Sequence, residues 1–336
     1  MEKFDLKILY IHSENSQKNL INDYMSDVLL HGLRSLFGKD VVDYPGSWHM
    51  YDAEVHKRNF DKNDLFGKGF TVQRTLKDYE TIDRSDVKNK IKNKYFDLLI
   101  FSSSRRSKIF LDEAIKYNND IIFIDGEDDQ FIDYDLIKKG LYFKRELNIN
   151  HKNILPINFA IPEEKIIKTI NKNPKNLLAP LIPGKKKTYI YENENDYYNM
   201  YSESIFALTY KKAGWDCLRH YEILMNGCLP LFLHFEKCPV NTMTNLPKNE
   251  IQDINKKYLK ILNFFNPMQV YYKKFLTLKI FVNYFKNYFE KKIDIKDFII
   301  ENSEIFDLKE KMLNFTKTKL TTKVLAKQII QKIKLK

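Results

Sequence analysis

The sequence predicts an α/β protein of two consecutive halves, each a parallel sheet with crossover helices, followed by a helical, basic C-terminal segment. Three observations predict it. Short apolar runs of strand length alternate with helix-period stretches through 7–124, and the alternation resumes through 187–233. At 336 residues the chain exceeds the usual size of one domain. Beyond 249 the strand signal disappears and the pattern becomes helical. The expected divisions are 1–150, 151–250 and 251–336, with the crossover between the halves falling somewhere in 140–186.

Residues 7–12 (KILYIH) make the first strand by their short apolar run. Residues 17–37 carry Leu20, Tyr24, Val28 and Leu29 on one helix face, and Gly38 stops that helix. A second short strand follows at 41–43. From 44 to 80 the chain is irregular, with Pro45, Trp48, His49, Tyr51 and an FGKGF run at 66–70. A loop-rich stretch of that length inside a compact domain is usually functional. A helix over 84–94, a buried strand at 96–101, a helix over 108–118 and a buried strand at 120–124 complete the first alternation. Residues 126–150 are polar and end in YFKREL. A strand lies within 153–161, Pro162 starts a short helix, and 171–186 is a loop rich in Lys, Asn and Pro. The second alternation reads as strand 187–191, helix near 194–203, strand 205–210, helix 214–226 and strand 229–233. Residues 271–290 space their polar groups as a helix does, and a last helix covers 319–334 with Leu325, Ile329 and Ile333 aligned.

Composition narrows the function classes. An apolar share of 43% supports real cores. No apolar run reaches the roughly 18 residues that cross a bilayer, and the N-terminus alternates like a strand rather than a leader. Cys217, Cys228 and Cys238 cannot all pair and form no CxxC unit, which points to a reducing, cytoplasmic setting and no zinc site. The net charge of +12 is uneven: residues 251–336 hold 19 Lys, no Arg and 8 Asp plus Glu, so the rest is near neutral. Lys without Arg argues against nucleic-acid base readout. Such a segment is a solvated helical surface, or a patch that meets anionic membrane or an anionic polymer.

Residues 211–230, KKAGWDCLRHYEILMNGCLP, carry the strongest functional signal. A loop, a helix, a glycine turn and a new strand follow one another in about twenty residues. This unit sets a helix N-terminus, with its free N–H groups, at a sheet edge where it can hold a diphosphate. Arg219 and Glu222 are three apart and share one helix face. An anion-binding Arg beside a hydroxyl-binding Glu suits a nucleotide sugar, although the same pair taken alone reads better as a surface ion pair on an amphipathic helix. The run R-x-x-E-x(4)-G-C-x-P, formed by Arg219, Glu222, Gly227, Cys228 and Pro230, resembles the donor-binding segment of GT-B glycosyltransferases, and most nearly that of the exostosin-like branch. The resemblance is specific over about 201–248 and only architectural elsewhere. It implies two Rossmann-like domains facing a cleft, with the acceptor on the first and the donor on the second. It implies that Glu222 binds ribose and that Arg219, with Lys211 or Lys212, binds pyrophosphate, with Gly214 and Asp216 in the same loop. It further implies transfer from a UDP- or GDP-sugar to a glycan, lipid-linked or polymer hydroxyl without a metal or other cofactor.

Open α/β sheets bind ligands beyond the carboxyl ends of their strands, which selects the remaining candidates. His12 ends the first strand and can act as a base or cap a helix. Arg105 and Arg106, in SSSRRSK after the next strand, can bind an anion or pair with carboxylates. Asp125, Glu127 and Asp128, in DGEDD, form the densest acidic cluster and can supply a base or simply cap and solvate a loop. Lys144 and Arg145 can pair with that cluster or reach a donor phosphate. Asp133 and Asp135 match the D-x-D metal motif only formally. Trp215 packs against a ligand or anchors its loop, and Ser202 and Ser204 touch phosphate or cap. A non-catalytic Rossmann-like binding protein whose basic segment docks nucleic acid or membrane is the alternative. A dinucleotide oxidoreductase is set aside, because IHSENSQ stands where G-x-G-x-x-G would follow the first strand.

Overall fold

The computed structural model describes residues 6–12, 22–58, 60–118, 120–264 and 293–334. The first turn of the helix expected from 17 and the polar pattern at 271–290 lie outside the described residues.

Six parallel strands form the first sheet: β1 (Ile8–Ile11), β2 (Val41–Tyr44), β3 (Leu98–Phe101), β4 (Ile121–Asp125), β5 (Leu141–Lys144) and β6 (Ile154–Pro156), in the order β2-β1-β3-β4-β5-β6. β1, β3 and β4 are buried along their whole length. This explains why they read as continuous apolar runs, as strands covered on both faces do. Helix α1 (Tyr24–Phe37) crosses from β1 to β2, and α2 (Asp52–Lys57) and α3 (Val87–Lys92) lie between β2 and β3. Helices α4 (Leu111–Tyr117) and α5 (Tyr134–Ile137) follow β3 and β4 in turn. Asp23 caps α1 by accepting from the N–H of Met25 at 3.0 Å, and Gly38 ends it at a φ of 57°.

The second sheet is smaller. β7 (Asn176–Leu178), β8 (Ser204–Tyr210) and β9 (Leu229–Leu233) are parallel in that order, with α6 (Glu194–Ser202) and α7 (Leu218–Met225) as the connecting helices. Both sheets are thus parallel α/β layers. Several sequence assignments change. Residues 154–156 pair as β6 with β5 of the first sheet, which therefore extends past residue 150. β5 arises from YFKREL, where Lys144 hid the strand. β7 lies inside the segment expected to be loop. The strand expected at 187–191 is a single 3-10 turn (Lys186–Thr188) and irregular chain, held by Thr188 Oγ1 donating to Lys185 O at 2.8 Å.

The C-terminal helices are part of the body. α8 (Lys248–Tyr258) covers the edge of β9, where Asn255 accepts from Phe232 N at 2.9 Å and donates to Phe232 O at 2.7 Å. That side chain blocks further strand addition at the edge. After α9 (Ile295–Glu301), α10 (Ile305–Lys319) packs on α7 and buries Lys309, whose Nζ donates to Ser204 O at 3.2 Å. α11 (Thr322–Lys334) returns to the first half and packs on α1. Its entry is tied by Ile161 N to Leu320 O (2.9 Å) and Thr322 N to Ile161 O (3.0 Å). Among the described residues no helix is long and apolar enough to cross a membrane.

Candidate functional site

A pocket of about 500 Å³ is lined from both sheets. Each contributing strand delivers its residues just past its carboxyl end: Asp128 after β4, Arg145 after β5, Phe159 after β6, Leu181 after β7, and Lys212, Ala213 and Gly214 after β8. This is the edge at which parallel α/β sheets hold ligands. Much of the remaining wall is aromatic. Tyr24, Phe66 and Phe70 come from the first half, and Tyr189, Tyr191 and Tyr197 from the second.

Helix α7 starts in this pocket. Its N-cap, Cys217, accepts no side-chain cap hydrogen bond, and Cys217, Leu218 and Arg219 all line the cavity, so the positive helix end is presented there. The helix closes in a Schellman turn: Cys228 N donates to Ile223 O at 3.1 Å and Gly227 N to Leu224 O at 3.0 Å, with Gly227 at a φ of 62°. The G-C-x-P half of the motif is therefore architectural. Cys228 is buried against Ile223 and Ala207, where burial pushes its thiol up to about 12.

The Arg and Glu of the motif face the cavity. Arg219 is 9% exposed, and its Nε donates to Thr209 Oγ1 at a long 3.4 Å. Its Nη2 is shut off from solvent and has no acceptor among the described residues. A buried guanidinium nitrogen with no acceptor costs the fold free energy. His220 beside it is held neutral, pushed down to about 3 by burial and by the Arg219 charge. Its ring bridges Thr209 Oγ1 and Trp215 O, both at 2.9 Å, and so locks the loop that enters the helix. Glu222 is 5% exposed and accepts from Thr71 Oγ1 and Tyr197 OH, both at 2.6 Å. Burial raises its carboxyl above the usual range, against the pull of those hydroxyls and of Arg219.

The loop before α7 is held by the first half. Glu146 accepts the N–H groups of Trp215 and Asp216, both at 2.9 Å. Gly214 is needed there, because a Cβ would lie 2.6 Å from Glu146 Oε1 and 2.8 Å from Asp128 Oδ1. Arg145 is 3% exposed and donates to Glu146, Asp128, Gly126 O and Asp216 O. It therefore binds protein, and joins the loop after β4 to the loop before α7. Asp216 does not cap α7. It accepts from Phe159 N (2.8 Å) and Tyr221 OH (2.9 Å), and burial pushes its carboxyl up to about 7.

Of the residues singled out in the sequence, Lys212, Gly214, Asp216, Arg219, Glu222, Asp128 and Arg145 line the pocket, whereas Lys211, His12, Asp125, Arg105, Arg106 and Lys144 do not. Lys211 lies over the Trp215 ring, and Trp215 stacks on Phe232 as a packing anchor. Asp125 is buried and saturated, accepting from Tyr142 OH (2.6 Å), Lys144 Nζ (3.0 Å) and Glu127 N (3.1 Å). Arg105 pairs with Asp129, and Arg106 with Glu127 and Asp23. The basic and acidic strand-end clusters thus neutralise each other. Asp133 caps α5 by accepting from Asp135 N and Leu136 N. Ser202 and Ser204 donate to backbone carbonyls of α6. Among the described residues no group of three His, Cys, Asp or Glu is placed to hold a metal.

The segment 66–71 lies in the irregular 44–80 stretch whose length suggested function, but none of its residues was assigned a role there. Phe66, Gly67, Lys68 and Phe70 form one wall, and Thr71 holds Glu222. The signal was present in the paired glycines: Gly67 and Gly69 both take positive φ, and a Cβ at Gly67 would meet the Tyr24 hydroxyl at 2.3 Å. In comparisons with known proteins, no family model matches the chain, and no curated protein matches it either.

Proposed function

We propose that the protein is a metal-independent glycosyltransferase of GT-B form that takes its sugar from a nucleoside-diphosphate sugar. One observation carries the reading: Arg219, buried and without an acceptor at Nη2, stands at the N-terminus of α7 in an aromatic-walled pocket, with Glu222 one turn further on. The guanidinium and the helix N-terminus hold the diphosphate, Lys212 adds charge at its side, and Glu222 takes the ribose hydroxyls. An acceptor hydroxyl attacks the anomeric carbon, the bond from that carbon to the diphosphate oxygen breaks, and the nucleoside diphosphate leaves against Arg219. The hydroxyl proton passes to a carboxylate of the first half. Of the candidate bases His12, Asp125, Glu127 and Asp128, Asp128 lines the pocket, and its partner Arg145 would have to yield.

Calorimetric titration with UDP, GDP and ADP, without and then with Mn²⁺, tests the reading; metal-independent binding of one nucleotide supports it. A second reading, a non-catalytic nucleotide-binding protein, has an observation in its favour. The lining carboxylates are each engaged already: Asp128 by Arg145, Asp216 by Phe159 N and Tyr221, Glu222 by Thr71 and Tyr197. Nucleotide binding with no turnover of any nucleotide sugar would favour that reading.

A further inference from the structure

The floor of the pocket has more short oxygen contacts than it has protons if Glu222 is ionised. Glu222 Oε1 lies 2.6 Å from Thr71 Oγ1, Thr71 Oγ1 lies 2.7 Å from the Tyr198 hydroxyl, and that hydroxyl lies 2.8 Å from Glu194 Oε1. All three contacts have hydrogen-bond length, and each needs a proton between its oxygens. Thr71 and Tyr198 bring one proton apiece. With both carboxylates ionised, one of the three contacts is left bare whichever way the hydroxyls turn. A third proton removes the deficit, and it has to sit on a carboxyl group.

Glu194 is the anion of the two. Its Oε1 also accepts the Thr71 N–H at 2.5 Å, and its Oε2 is paired with Lys165 Nζ at 2.6 Å. Glu222 is more deeply buried, and its partners are hydroxyls. The charged and titratable groups facing it are Arg219 on its own helix, Glu194, Tyr197, Tyr198 and Tyr201 on α6, and Tyr24 on α1. Burial, the largest influence, and Glu194 oppose the ionised form; the Thr71 and Tyr197 hydroxyls and Arg219 favour it. Thr71, at the centre, is a β-branched residue at a φ of 78°, a strained conformation held by bonds from both its N–H and its hydroxyl.

We propose that Glu222 holds this proton in the ligand-free protein, and that Glu222, Thr71, Tyr198 and Glu194 form a proton wire from the pocket floor to the Lys165–Glu194 pair. The consequence for binding rests on the reading of Glu222 as the ribose group. A ribose diol donates two protons and needs a carboxylate as acceptor, so the nucleotide expels the Glu222 proton. The proton moves from Glu222 to Thr71, from Thr71 to Tyr198 and from Tyr198 to Glu194, each oxygen passing on its own proton, and leaves to solvent from Glu194.

Infrared difference spectra of wild type against Glu222→Gln at neutral pH test the protonation without any ligand. A carbonyl band of a protonated carboxyl group, lost in the variant, is expected; its absence overturns the proposal. Thr71→Val, which removes the bridging hydroxyl, should shift that band, whereas Thr71→Ser should restore it. An unshifted band in Thr71→Val overturns the wire. Titration with UDP and GDP in buffers of different ionisation enthalpy should then show roughly one proton released per nucleotide bound. Binding without proton release overturns the coupling and leaves the proposed function standing. Failure to bind either nucleotide overturns the proposed function, and the infrared band still decides the protonation of Glu222.

Discussion

Arg219 leaves a buried nitrogen, Nη2, without an acceptor, and this separates it from its fully bonded neighbours. Replacing it by Met removes a buried charge whose Nη2 has no acceptor. Urea unfolding should show stability unchanged or raised by about 1 kcal/mol, while nucleotide affinity falls about 10- to 100-fold, the worth of a charge-assisted contact. Asp216 makes the opposite case, a buried carboxyl serving the fold. The Tyr221 hydroxyl lies 2.9 Å from both Asp216 Oδ1 and Asn245 Oδ1 but has one proton, so a protonated Asp216 satisfies both contacts. Its carboxyl is pushed from 3.8 to about 7 by burial. Between those values the folded chain holds a proton that the unfolded chain lacks, so this group's contribution to stability falls as pH rises, by up to about 1.4 kcal/mol per pH unit. Asp216→Asn mimics the protonated form, and its urea midpoint should vary less with pH across that window than wild type's does. At this scale Arg219 and Glu222 were legible because helix spacing places them together. Asp125 and Arg105 were not, because residue type alone cannot tell a free strand-end charge from one that another loop neutralises.

The helix–turn–strand unit 218–233 shows how one motif divides between fold and site. Gly227 sits in left-handed backbone, and a Cβ there would come within 3.1 Å of Ile167 and Ile170. Gly227→Ala should cost about 1–2 kcal/mol, seen as a lower urea midpoint with an unchanged slope. Elements buried on both faces, such as β1, β3 and β4, declare themselves by apolar runs. β5 did not, because Lys144 interrupts the run and becomes tolerable only when Asp125 of the neighbouring strand meets it at 3.0 Å. The alternation at 187–191 suggested a strand, yet Tyr189 and Tyr191 serve the pocket wall.

Across the whole molecule, the chain returns to where it began. α11 packs so closely on α1 that a Cβ on Gly32 would lie 2.1 Å from Thr322 O and 3.1 Å from the Ala326 Cβ. Gly32→Ala should therefore destabilise the protein by about 1–3 kcal/mol, measured by thermal or urea unfolding. Periodicity revealed the last helix but not this contact, and the lysine-rich composition of 251–336 did not reveal that Lys309 is buried under the second sheet. The pocket likewise depends on long-range placement, since its walls come from residues 24 to 222. The most direct test of the account is titration of wild type and the Arg219→Met variant with UDP and GDP in the absence of metal. One nucleotide should bind wild type, and that binding should be lost or much weakened in a variant that folds at least as well. Binding that survives the substitution unchanged, or no binding to wild type at all, would contradict it.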